Sequence, residues 1–296
     1  MRLRPVGSLS RSISAIITAP GRLNYCSMTN NNRILFISQE IAPYIPSGEA
    51  AKLGRALPQG MQERGFEVRT FMPKFGTVNE RRNQLHEVIR LSGMNIIIDD
   101  NDHPLIIKVA SLQPSRIQVY FIDNDDYFQK LDEDCDVAGS NRADNDERAL
   151  FFARGTMETA KKLRWDPKVI LCSGWITALT PLFIKRMYGD DLSFENSKVV
   201  YMVMPGQLEA PVDERIFTKL KADGFATRDL KKFAGLPFDV NLLHRMAIDF
   251  SHAVIFNDPD VSPELLEYVK ESGKPYITAD KLEGGIDAYA DFIKSL

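Results

Sequence analysis

The stretch EIAPYIPSGEAAKLGRALP, Glu40 to Pro58, follows the short apolar run Ile34 to Ile37 and reads as the turn carrying a strand into a helix. Such a turn leaves the first backbone N–H groups of the helix free, which is how many α/β proteins hold a phosphate. Ser47 and Gly48 mark the turn itself. Other chemistry-bearing residues are spread thinly. His86, His103, His244 and His252 show no ligand spacing, so neither a metal site nor histidine-based catalysis is predicted. Cys26, Cys135 and Cys172 are far apart and make no CxxC pair, which argues against a disulfide framework or a zinc site and makes a reducing cytoplasm the default. The acidic run LDEDCDVAGSNRADNDE, 131 to 147, lacks the glycine and terminal glutamate spacing of a calcium loop and reads as a solvated loop. No cofactor is indicated.

The elements that must position this turn alternate between two periods. RILFIS reads as a strand, after which Leu53, Leu57 and Met61 recur at helical spacing. EVRTFMP is a second strand. MNIIIDDNDHPLIIKVASLQPSRIQVYFID gives three strands in a row, with turns predicted at Asn101-Asp102 and Pro114-Ser115. A long helix is expected from about 144 to 164, with Ala149, Ala153, Met157 and Ala160 on one face. The strand KVILCS, a helix from Ile176 to Met187, the strand KVVYMV and the helix-then-strand LLHRMAIDFSHAVIFND complete the series. Alternation of this kind implies an α/β fold, a Rossmann-like, mostly parallel sheet with helices on both faces.

The chain has 296 residues, 44% of them hydrophobic and 26% charged, as in a soluble globular protein. A net charge of −3 gives no electrostatic case for nucleic acid or an anionic membrane as partner. No apolar run approaches the roughly 18 residues of a membrane-spanning helix. The first 32 residues differ in composition: Arg2, Arg4, Arg11 and Arg22 are mixed with serines, and no acid precedes Glu40. That composition fits an organelle transit peptide, or a translation start at Met28 with the preceding segment an upstream artefact. Residues 1–32 are expected to be disordered and 33–296 to form the domain.

In order and spacing, ILFISQEIAPY, RALPQGMQERGFEVRTFMPKFG, VYFIDNDDYF, DNDERALFFARGTMETAKKLRWDPKVILCSGWITALTPLFIK and AIDFSHAVIFNDPDVSPELLEYV resemble the N-terminal domain of bacterial glycogen and starch synthases, over about residues 33 to 270. That resemblance implies one half of a GT-B glycosyltransferase, whose two Rossmann-like domains face each other across a cleft, and transfer of glucose from ADP-glucose to an α-1,4-glucan. The family's first loop reads E-x-A-P-x-x-K-T-G-G-L-x-D, in which the lysine meets the diphosphate. Here Pro46 takes the lysine position, Ser47 and Gly48 keep the type, Glu49 replaces the second glycine and Lys52 stands at the aspartate. Glu49 suits the helix dipole but repels a phosphate at the same helix start, while Lys52 could reach back and restore part of the charge. The family's histidine-rich H-x-H-D-W-H-T becomes Leu171, Cys172, Ser173, Gly174, Trp175, Ile176 and Thr177. Isoleucine offers a sugar hydroxyl no hydrogen bond, and Trp175 is read as a packing residue rather than a sugar platform.

The family's second domain brings most nucleotide contacts, and the expectation is that it is not encoded in this sequence; the last amphipathic stretch, Ile286 to Ile293, is expected to pack on the first domain. By resemblance, Asp144, Asn145 and Arg148 match a D-N-x-x-R pattern at the start of the long helix, and Asp123 and Asn124 match the segment before it. Two roles stay open for them. Either they bind substrate, an α-glucan or ADP-glucose at low affinity, or Asp144 caps the helix while Asn124 and Arg148 tie down a loop. No residue is assigned a catalytic role, and Ser47 and Gly48 form a degenerate donor loop. The function expected is a glycogen or starch synthase-like protein of glycogen metabolism, inactive as an isolated chain. The alternative is a non-catalytic glucan-binding or scaffolding module, with a separate synthase chain as a possible partner.

Overall fold

Four hydrophobic residues in a row, Ile34 to Ile37, are fully buried in the first strand, because both faces of a parallel sheet are covered. The computed structural model describes residues 32–129, 135–206 and 208–296. The extension expected to be disordered therefore lies, apart from its last residue, outside the described residues, as does Cys26. Asn31–Leu296 form one compact unit.

The strands are β1 (Arg33–Ser38), β2 (Glu67–Pro73), β3 (His86–Glu87), β4 (Met94–Ile98), β5 (Asn101–Leu112), β6 (Ile117–Asp123), β7 (Val169–Ser173), β8 (Lys198–Val203), β9 (Ala253–Phe256) and β10 (Tyr276–Ile277). They lie in the order β10-β9-β8-β7-β1-β2-β6-β5-β3, with β4 paired to β5. Seven strands from β10 to β6 run parallel, and β5, β3 and β4 form an antiparallel margin. The expected α/β class and inserted meander are both present.

The helices are α1 (Glu49–Glu63), α2 (Asn145–Lys162), α3 (Thr180–Arg186), α4 (Ile216–Ala222), α5 (Thr227–Leu230), α6 (Val240–Phe250), α7 (Pro263–Ser272) and α8 (Ile286–Lys294). The C-terminal α8 packs on α1, where Gly60 leaves room for it: a Cβ at Gly60 would lie 2.6 Å from Ile286 Cγ2. Rather than burying one face, α2 is buried nearly all round, because β4, β6 and α3 all pack on it.

Two expected boundaries move. The hairpin turn falls at Asp99 and Asp100, both with positive φ (48° and 64°), and Asn101 already pairs with Ile98. Aspartate tolerates the left-handed backbone that a two-residue hairpin turn needs, and a slip of two residues keeps Ile96 and Ile98 on the buried face. The helix expected over Ile176–Met187 is broken into a short 3-10 turn, Trp175–Thr177, and α3. Pro181 has no N–H for a bond one turn back, so the helix restarts with proline in its first turn.

Because the central strands are parallel, their C-terminal ends share one edge of the sheet. Gln39 and Glu40, Lys74, Asn124, Gly174 and Asn257 follow β1, β2, β6, β7 and β9 there, and Ser47-Gly48 lies on that edge as expected. Open α/β sheets bind ligands outside this edge.

Candidate functional site

At the end of β1 the chain turns through the loop 39–48 into α1. Gly48 caps the helix with a φ of 105°, a conformation that favours glycine, and no side chain caps the free N–H groups. A second glycine sets the close approach of helix and loop: a Cβ at Gly54 would meet the Glu40 carbonyl oxygen at 2.1 Å. The helix start thus keeps the shape of an anion site. Its side chains oppose one. Glu49 lies in the first turn and pairs with Lys52, Nζ to Oε1 2.7 Å, so the cation that could have restored charge is engaged by the anion that removed it. Glu40 is half-buried, its Oε1 accepts from Gln39 Nε2 at 3.2 Å, and burial with the nearby Asp136 raises its pKa above the ordinary carboxylate value. Among the described residues no cation pairs with Glu40.

Beside it, β7 ends in the segment Leu171–Thr177, which is buried throughout. Trp175 is 2% exposed and packs in the core, and the Thr177 hydroxyl donates to the Gly174 carbonyl at 2.8 Å. Burial pushes the Cys172 thiol far above its usual pKa. Gly174 has a φ of 90° and admits Gln39, whose Oε1 lies 2.7 Å from the place a Cβ would occupy.

Four of the five predicted binding residues form one belt between the end of β6 and the start of α2. Asn124 Oδ1 accepts from the N–H groups of Asp126 and Tyr127 at 3.0 and 3.1 Å, and its Nδ2 donates to the Pro104 carbonyl at 3.0 Å. Asn145 Nδ2 donates to the Ser140 carbonyl at 2.9 Å. Arg148 is fully buried, donating from Nε to the Tyr127 carbonyl at 2.8 Å and from Nη1 to the Gly139 carbonyl at 3.0 Å and Asn145 Oδ1 at 2.6 Å. Burial first, then the neighbouring Arg142, lowers its pKa to about 10. Asp144 occupies the N-cap position, but its carboxylate turns to Arg142, 2.5 Å from Nη2, and caps no N–H. The fifth residue, Asp123, belongs to a neighbouring network: Oδ2 meets Lys108 Nζ at 2.8 Å and Oδ1 accepts from Gln129 Nε2 at 2.6 Å, while Lys74 and Lys108 converge on Glu80.

A third polar group escaped the sequence reading. Lys219 of α4, with 2% of its side chain exposed, reaches Asp146 and Glu147 at 2.7 Å and Asp213 at 2.9 Å. Hydrogen bonds to its own neighbours and to Lys219 hold the Asp213 pKa down at about 2. Tyr127 joins on, donating to Glu147 Oε2 at 2.9 Å with His103 Nε2 at 3.0 Å. Nothing local could have shown this pairing, since Lys219 and Asp146 lie 73 residues apart.

This edge, with a helix start, a strand-end glycine and a buried polar belt, is built from residues 39 to 257, and the model of the family described as the starch synthase catalytic domain matches residues 33–278. The chain belongs to that family. Among curated relatives of this starch synthase family, the glycogen synthase of Chlorobium luteolum (strain DSM 273 / BCRC 81028 / 2530) is 35% identical over 191 residues, covering 64% of this chain and 39% of that protein. The glycogen synthase of Chlorobium phaeovibrioides (strain DSM 265 / 1930) is 31% identical over 237 residues, covering 79% and 47%. The chain therefore matches less than half the length of these relatives. Its fold is similar to about half of the catalytic domain of starch synthase IV from Arabidopsis thaliana bound to ADP and acarbose, with a TM-score of 0.64 at 17% identity over 84% of this chain and 51% of that one. Among the described residues no helix is long and apolar enough to cross a membrane.

Proposed function

We propose that this domain is a pseudoenzyme of the glycogen and starch synthase family, which keeps the glucan-facing fold and does not itself transfer glucose from ADP-glucose. One observation carries this: the start of α1, where the family pattern places a phosphate-binding lysine, holds Pro46, Glu49 and the half-buried Glu40, and Lys52 is paired with Glu49. A diphosphate there would face two carboxylates with no free cation. Electrostatic stabilisation of the departing diphosphate is a main contribution to such transfers, so the reaction lacks its driving group. The glucan belongs to the same reading. Four of the five candidate binding residues, Asp123, Asn124, Asn145 and Arg148, hold the loops from beneath, and Asp144 at the helix start reaches solvent for direct contact with hydroxyl groups. With net bonds of about 1 kcal/mol each, affinity for maltooligosaccharide is no better than roughly millimolar. A cytoplasmic setting accords with the free Cys135 and Cys172, and a separate synthase chain is the partner class this reading implies.

The test is ADP release from ADP-glucose with a glucan primer. No release above background is expected; turnover by the purified chain would overturn the pseudoenzyme reading. Maltoheptaose titration followed by NMR should give a saturable shift weakened by Asp144→Ala.

A further inference from the structure

The antiparallel margin of the sheet ends in β4, and the outer edge of that strand is unpaired. Asn124 Nδ2 donates to the Pro104 carbonyl at 3.0 Å from the β6 side, so that carbonyl faces away from β4. Residues directly opposite each other in an antiparallel pair turn their backbone groups inward or outward together. Asn95, which pairs with Pro104, and Ile97, two residues on, therefore turn their N–H and C=O groups away from β5, and among the described residues no strand takes them up. Protein edges are commonly blunted by lysine, proline or a bulge, but Met94–Ile98 carries no charge and no proline, and Ile97 is 57% exposed. A groove of about 240 Å³ runs beside it, lined by Ile96, Ile97 and Ile98 in succession. Neighbouring side chains on a strand point to opposite faces, so a groove that meets all three follows the edge itself. Leu150 and Arg154 of α2 and Asp223 at the end of α4 line it from the other side. An edge strand that faces helices across a groove is suited to take an extended peptide as one more strand. Charge narrows the choice of peptide. Arg154 is paired with Asp223, Arg215 with Asp99 and Lys219 with three carboxylates, whereas Asp100 and Asp102 at the hairpin tip are exposed and have no ionic partner among the described residues.

We propose that the β4 edge is a docking site for an extended, cationic segment of a partner protein, which joins the sheet as a further strand, sets apolar side chains in the groove and places a lysine or arginine against Asp100. The docking does not depend on the charge at the start of α1, so it stands whether or not the domain transfers glucose.

The probe is the peptide acetyl-Arg-Val-Thr-Val-Thr-Val-amide, titrated into the full chain and followed by amide NMR and hydrogen exchange. In the free chain the Asn95 and Ile97 amides should exchange faster than those of Ile96 and Ile98, and saturating peptide should slow them. Methylating the backbone nitrogens of alternate peptide residues removes the donors along one edge of the peptide. One of the two alternate sets should weaken binding at least tenfold, at about fivefold for each bond lost, and the other should change it little. Glutamate in place of the peptide's arginine should weaken binding about threefold. Asp100→Asn should erase most of that difference while keeping the turn, since asparagine tolerates the φ of 64° at this position. Unchanged exchange at Asn95 and Ile97 with millimolar peptide, equal binding by the two methylated peptides, or no preference for arginine would overturn the proposal. So would protection of these amides that grows with protein concentration in the absence of peptide, because a second copy of the chain would then cover the edge.

Discussion

Around the start of α2, Asn145 and Arg148 are fully buried and every side-chain nitrogen and oxygen of the two but Arg148 Nη2 is bonded, whereas around the start of α1 the residues Pro46 to Glu49 are exposed and Gln39 Oε1 behind them is buried with no donor. The first region matches the family pattern and the second departs from it. The contrast separates two reasons for a residue to sit in a pattern. Buried amides and a guanidinium that join three loops cannot change without a cost in stability. Exposed residues at a helix start can change at little cost in stability.

The largest effect expected is at Lys219. Lys219→Met leaves Asp146, Glu147 and Asp213 without their shared cation, and removing one partner of a buried ionic group costs about 3–5 kcal/mol. Urea unfolding monitored by fluorescence measures it, and a loss under 1 kcal/mol would mean that the belt around α2 is not scaffold. Arg148→Met comes next, at about 2–3 kcal/mol, because three acceptors lose their donor. Its maltoheptaose affinity, measured in the folded state, should change less than about twofold, since the side chain never reaches solvent; a larger loss would return Arg148 to the binding surface.

The strands of this edge were legible because a run such as Ile34–Ile37 or Val199–Val203 is buried on both faces and carries its signal in every residue. The belt was legible only as a list of residues. A cap on α2 was one of the two roles open for Asp144, because aspartate does so elsewhere, but Arg142, two residues before it, competes for the carboxylate. The Lys219 cluster and the pressure of Gln39 on Gly174 arise from contacts across the fold, which no local spacing records.

Acid should act with opposite sign on the interior and on the loop. His244 is buried beneath β8 against the Tyr201 hydroxyl, 2.8 Å from Nδ1, and burial lowers its pKa from about 6.5 to about 4; half-buried His252 is lowered similarly, by burial and by Lys185, Lys198 and Lys274. A depressed histidine binds its proton more readily when unfolded. Its stabilisation is therefore complete above the unfolded value and drains away between about pH 6.5 and 4, by something of order 3 kcal/mol for His244. Glu40 has a raised pKa, so the folded protein takes up its proton first and gains stability as pH falls through that value. Stability curves should thus flatten on the acid side in His244→Phe and steepen in Glu40→Gln. Parallel curves for all three proteins would remove the distinction between the two regions.

The smallest effect expected is at the exposed start of α1. Lys52 and Glu49 have side chains 69% and 73% exposed, and an exposed pair one helical turn apart is screened by water, so Lys52→Met should alter stability by less than about 0.5 kcal/mol. Even the sign is balanced: the pair is lost, but a cation also leaves the positive end of the α1 dipole. With Lys52 gone, Glu49 stands uncompensated at the start of α1, so ADP is still expected not to bind. A Lys52→Met protein that loses more than about 1 kcal/mol would make the loop a structural element like the belt. One that begins to bind ADP after losing a cation would show that the carboxylates at this helix start do not repel the diphosphate, and the charge argument for the pseudoenzyme would fall.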